Sequence, residues 1–239
     1  MTSPQHELLI GTCGWQHAAW KGGFYPDDLP ADWQLTYYSN EFRVVLVPRV
    51  YREACDDCAT QWLEDSGESL QFVCEVDVGV HGAPDMRAVL ASLTEDFAWA
   101  DGLGRRNAGV LCNVSRKFAQ HEDDLESILK ACTHNAPVCI DCGGEAPLPW
   151  QRELLERYQA GWCWHGDSDQ AAPFTGRLAL TRIAGETQPR ELRAIVETCL
   201  VQGRRMREAD AASVSALLID GDPPSIETAR NARVIMELL

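Results

Sequence analysis

Eight short apolar runs punctuate the chain, at 8–14, 44–48, 71–77, 108–114, 137–142, 161–165, 178–183 and 215–220. Each has the length of a buried strand, and several are rich in β-branched residues. Their apolarity is nearly continuous rather than alternating. That pattern fits strands covered on both faces, and so a parallel sheet. Between the runs lie stretches of helical period, at 31–42, 53–64, 85–101, 123–132, 149–159, 188–207 and 225–239. In the third of these, Val89, Leu93 and Phe97 recur four apart. Pro189 suits a first helical turn, Lys130 a last turn, and Ser225 an N-cap. The sixth connection, 167–177, has room only for a loop or a single turn.

Eight strands with seven helices is the count of a (β/α)8 barrel of the TIM type, with the sixth helix short or missing. The α/β alternative is a doubly wound open sheet. No strand is followed by a phosphate-binding glycine fingerprint, which favours the barrel. There is no internal repeat, low-complexity tract or linker. We expect a disordered tail over 1–7 and one domain over 8–239.

In a barrel, the loops after the strands form the functional face. Their polar residues can be read off in order. Strand one is followed by His17, Trp20 and Lys21, and strand two by Arg49 and Tyr51. Strand three brings Glu75, Asp77 and His81, and strand four Asn113, Ser115 and Arg116. Asp141 and Glu145 follow strand five; His165, Asp167 and Asp169 follow strand six. Arg182 closes strand seven, and Asp220 with Asp222 closes strand eight.

The first run ends in a glycine-broken aromatic segment carrying Trp15, Trp20, Lys21 and Tyr25 within residues 8–25. Such a segment can build a pocket wall, or its rings can plug the end of a core. The segment 10–15, Ile-Gly-Thr-Cys-Gly-Trp, continues to Trp20 and then Gly23-Phe24-Tyr25-Pro26. It resembles the opening of the YecE-like family, known as domain of unknown function 72. The likeness extends to Gly109–Val114 with Phe118 and to Ala229-Arg230-Asn231-Ala232. It implies a TIM-type barrel and no particular reaction. The chain also departs from the family pattern. Val45 and Val47 stand where the family has Glu and Asn, Glu75 where a lysine is common, and Asn113 where a Gln is usual. We read the two valines as removing polar groups from the barrel mouth.

Charge narrows the partners. Twenty-one Lys and Arg face 36 Asp and Glu, a net charge of −15, which disfavours nucleic acid. No stretch approaches a membrane span and the first residues carry no signal peptide, so the expected location is cytoplasmic. The ten cysteines are then expected as free thiols. The pairs Cys55/Cys58 and Cys139/Cys142 are too far apart for a zinc ribbon. Asp141, His165, Asp167 and Asp220 offer oxygen and imidazole donors, but no compact metal motif fixes them, so no metal site or cofactor is assigned.

The resulting expectation is a barrel that binds or transforms a small polar or anionic molecule at its C-terminal face. Asp141, Arg182 and Asp220 are the candidate catalytic residues. Trp15, Trp20, Lys21, Arg49, Tyr51 and Asn113 are the candidate ligand contacts. The alternatives are an inactive scaffold for a protein partner and a metal-dependent phosphoester hydrolase. The oligomeric state is not legible.

Overall fold

A computed structural model describes residues 8–53, 58–79, 85–133, 136–167 and 176–239. His81, Asp169, Cys55, the 1–7 tail and most of the sixth connection lie outside them. Eight parallel strands form one sheet. They are β1 (Leu9–Cys13), β2 (Val44–Val47), β3 (Gln71–Val78), β4 (Asn107–Val114), β5 (Val138–Asp141), β6 (Gly161–Trp162), β7 (Leu178–Ala184) and β8 (Val214–Asp220). Their order is β6-β5-β4-β3-β2-β1-β8-β7. A parallel bridge between Trp164 and Thr181 joins the two ends. Trp164 N–H donates to Leu180 O at 3.0 Å and Arg182 N–H to Trp164 O at 2.8 Å, closing the barrel.

Among the described residues the helices are α1 (Gln34–Glu41), α2 (Arg49–Glu53), α3 (Cys58–Asp65), α4 (Met86–Asp101), α5 (Arg116–Ala119), α6 (Glu122–Cys132), α7 (Pro149–Tyr158), α8 (Pro189–Ala209) and α9 (Ile226–Glu237). Of the helix expected over 53–64, Glu53 ends α2 and 58–64 lie in α3, with 54–57 outside the described residues. The strand expected over 161–165 pairs regularly only at its start. Asp85 and Ser225 accept from Ala88 N–H and Thr228 N–H, capping α4 and α9. No helix among the described residues is long and apolar enough to cross a membrane.

The core has two compartments because strand side chains alternate faces. One is the lumen, filled by Cys13, Val44, Leu46, Val73, Leu111, Cys139, Cys163, Leu178, Leu180 and Leu218, with no helix contributing. The other lies between strands and helices and takes Val45, Val47, Cys74, Val110 and Ile140 together with helix residues. Val45 and Val47 thus face the helix layer. The expectation that they strip polarity from the mouth is corrected: the lumen-facing residues of β2 are Val44 and Leu46. Tyr38, from α1, ties β1 to β2 by accepting from Thr12 N–H at 2.9 Å and donating to Val44 O at 3.0 Å.

The opening segment packs as an aromatic cluster. Trp15 meets Tyr51 and Trp62 edge to face at 4.8 and 4.9 Å, and Trp20 meets Phe24 at 5.4 Å. Trp20 Nε1–H donates to Pro224 O at 3.0 Å, and Tyr25 OH to Trp15 O at 2.7 Å. Eight of the described cysteines are free; Cys58 is disulfide-bonded, contrary to the expectation of free thiols throughout.

Closure leaves no room beside β6. A Cβ on Gly161 would lie 2.0 Å from the Leu178 carbonyl oxygen of β7. Gly161→Ala is therefore expected to destabilise the protein by about 1–3 kcal/mol in urea unfolding. A change within experimental error would show that the β6–β7 approach is looser than described.

Candidate functional site

Alternation also builds the mouth. On six of the eight strands, the position two beyond the last apolar lumen residue carries a polar side chain on the same face. Val73 leads to Glu75 and Asp77, Leu111 to Asn113, Cys139 to Asp141, Cys163 to His165, Leu180 to Arg182, and Leu218 to Asp220. Six strands thereby deliver one polar layer at their C-terminal ends.

Arg182 organises that layer. Its Nε lies 2.8 Å from Asp220 Oδ2, and its Nη1 lies 3.5 Å from Glu75 Oε1 and 3.7 Å from Asp141 Oδ2. The Asn113 amide donates to Glu75 Oε1 and Asp77 Oδ1, both at 3.0 Å. His165 Nε2 sits 3.0 and 3.2 Å from the two Asp141 oxygens, and Gly143 N–H donates to Asp141 Oδ1 at 2.8 Å. The Asp141 side chain is 5% exposed and that of His165 32%.

These contacts set the protonation states. The hydrogen bond to Asp141, with a second to Cys163, raises His165 to about 10 against the opposing effect of burial. Burial resists ionisation of Asp141, but His165, Gly143 N–H and Arg182 outweigh it and hold the carboxyl below its ordinary value. Burial pushes the Cys13 thiol well up. At Cys163 the hydrogen bond with Cys139 and burial do the same. An exposed nucleophilic thiolate is therefore not what this mouth offers.

The residues expected from sequence separate into groups. Asn113, Asp141, Arg182 and Asp220 come together in the polar layer. Arg49 pairs with Glu53 at 3.0 Å and borders a shallow cavity of about 520 Å³, which is also lined by Pro48, Val50, Glu75 and Asp77. Tyr51 accepts from Gln16 N–H at 3.0 Å and is half-buried. Lys21 is exposed. Trp15 and Trp20 are 1% and 4% exposed, so neither ring offers a face to stack on a ligand; they close the core end.

Glu75, Asp77 and His165, read from sequence only as polar residues of the functional face, join the cluster, and Cys163 joins it unexpected. The signal was the i, i+2 relation to the lumen residues. Of the four metal donors weighed, Asp141 and His165 meet, and Cys163 supplies a third donor atom, all within 4.8 Å of one another. Asp220 is engaged by Arg182, and Asp167 accepts at its main-chain oxygen from Trp164 Nε1–H.

Comparison with known proteins places the chain in a family. It belongs to the family described as protein of unknown function DUF72, whose model matches residues 9–239. No curated protein matches it. Among solved structures it is similar to PbGH5A, a glycoside hydrolase family 5 enzyme from Prevotella bryantii B14. The TM-score is 0.49 at 9% identity, covering 97% of this chain and 96% of that one. A mutant of the same enzyme in complex with a xyloglucan tetradecasaccharide gives a TM-score of 0.48 at 10% identity, with the same coverage.

The Asp141–His165 pair makes stability depend on pH. His165 is raised on folding, so its contribution is fully present below about pH 6.5 and is lost as pH rises through about 10. Asp141 is lowered, so its contribution is lost only as pH falls through its folded value. In urea titrations with a chelator present, His165→Gln should flatten the decline in stability between about pH 6.5 and about pH 10. An identical decline in the variant would refute the pairing.

Proposed function

We propose that the chain binds a small polar molecule, uncharged or cationic, at the C-terminal mouth of the barrel. The observation that carries this reading is the cavity of about 520 Å³ walled by Glu75 and Asp77. Both carboxylates are held by the Asn113 amide, so hydrogen-bond acceptors stand ready at its edge with little ordering left to do on binding. Val50, 62% exposed, adds an apolar lip. A concave site with a few convergent polar groups is the usual form of a small-molecule site.

Charge selects the ligand class. Glu75, Asp77, Asp141 and Asp220 outnumber Arg182 and protonated His165 in this layer, and Arg182 is already engaged by three of the four. An anion would meet surplus carboxylates, and both Arg182 and the cavity's own Arg49, paired with Glu53 at 3.0 Å, are already engaged. Hydroxyl and ammonium groups would instead donate to Glu75 and Asp77. Of the polar and anionic classes expected from sequence, the polar one is supported. Arg182, held by Asp141 and Asp220, joins this wall through Glu75, 3.5 Å from its Nη1.

Calorimetric titration with matched pairs tests the reading: polyols and amino sugars against the corresponding sugar phosphates. Binding should favour the uncharged and amino compounds and weaken at least about tenfold in Glu75→Gln, as expected when a charge-assisted hydrogen bond worth 1.5–3 kcal/mol is lost. Binding confined to the phosphates, or indifferent to Glu75→Gln, would overturn it.

A further inference from the structure

Two adjacent strands carry the same short pattern facing the lumen. β5 presents Cys139 and Asp141, two apart, and the continuation of β6 presents Cys163 and His165, two apart. β5 and β6 pair in parallel with Cys139 opposite Gly161, and Cys163 N–H donates to Ile140 O at 2.7 Å. Closure thus stacks a carboxylate, an imidazole and two thiols on one wall.

We propose that Asp141, Cys163 and His165 form a binding site for a zinc-class divalent cation. Their donor atoms lie within 4.8 Å of one another, and His165 Nε2 is already 3.0 Å from Asp141 Oδ1. Tetrahedral zinc with ordinary bond lengths holds its donors roughly 3.3–3.6 Å apart, so small side-chain rotations complete the set. A thiolate with an imidazole selects zinc and its soft neighbours over magnesium or calcium. The metal replaces the thiol proton of Cys163 and the Nε2 proton of His165, as coordinated thiols and imidazoles require.

The surroundings match this charge. With His165 neutral, the layer holds Glu75, Asp77, Asp141 and Asp220 against Arg182 alone, an excess of negative charge that a divalent cation offsets. Arg182, 3.7 Å from Asp141 Oδ2, lies on the carboxylate oxygen other than the one nearest His165, and so orients the ligand. The Cys139 thiol hydrogen-bonds with Cys163 and backs the sulfur. His165, partly exposed, gives the cation a path from the mouth. The site does not rest on the cavity reading above, because it is measured without an organic ligand.

The test uses the full chain, purified with a chelator under reducing conditions and titrated with Zn2+ against a chromophoric competitor. A parallel titration uses Co2+. One equivalent of metal should bind. The Co2+ form should show strong visible bands of a tetrahedral site and a near-ultraviolet thiolate-to-metal band. Cys163→Ser should abolish the thiolate band and weaken Zn2+ binding by at least about 100-fold, the upper range for loss of an outer-shell partner. Cys142→Ser, which alters a half-buried thiol packed toward the helix layer, should change neither. If Cys163→Ser does not fold, His165→Gln must lose the same zinc affinity. Failure of the wild-type protein to bind one equivalent, a weak octahedral Co2+ spectrum, or metal binding unchanged in a folded Cys163→Ser or His165→Gln variant would overturn the proposal.

Discussion

Every inward side chain of eight closed parallel strands must share one lumen, and this constraint governs the rest of the molecule. Apolar residues fill most of that space. At the C-terminal ends, however, the same alternation forces in Glu75, Asp77, Asp141 and Asp220 from β3, β5 and β8. Carboxylates this close, Asp141 and Glu75 largely shielded from water, repel one another unless a cation stands among them. Arg182, from β7, supplies it, reaching three of them within 3.7 Å. His165 supplies the second positive charge at Asp141. The mouth is therefore a charge network spanning the barrel, assembled by strand alternation rather than by a local motif.

The strand positions were legible because burial on both faces writes a parallel strand as a continuous apolar run. The same continuity hides which residues face inward. Val45 and Val47 read as mouth residues, yet they belong to the helix layer, one step out of phase with Val44 and Leu46. Aromatic rings are equally ambiguous, since large apolar surface suits a core and a pocket alike. Trp15 and Trp20 prove to be buried. The polar residues at the strand ends were visible individually, and Asn113, Asp141, Arg182 and Asp220 do meet. What sequence could not convey was their partners: that Asn113 spans Glu75 and Asp77, or that Cys163 stands beside His165 and Asp141. Those contacts depend on register between strands tens of residues apart.

The network also explains why a lone arginine at a barrel mouth is poor evidence for an anion site. Its charge is consumed by groups the fold itself brings in. An acid-rich layer instead favours donors and cations, whether hydroxyls and amines at Glu75 and Asp77 or a metal at Asp141 and Cys163. The proton on His165 and a zinc ion there are competing occupants of the same negative pocket. Family membership is consistent with this picture without adding to it, because the family is defined by fold and sequence and not by a reaction.

The central claim is that Arg182 is bound within the protein by its own carboxylates. A double-mutant cycle of Arg182→Met and Asp220→Asn, read by urea unfolding at neutral pH, tests it most directly. The account predicts a coupling energy of about 1–3 kcal/mol. Additive effects of the two substitutions would show that the pair does not hold the mouth together and would contradict the account.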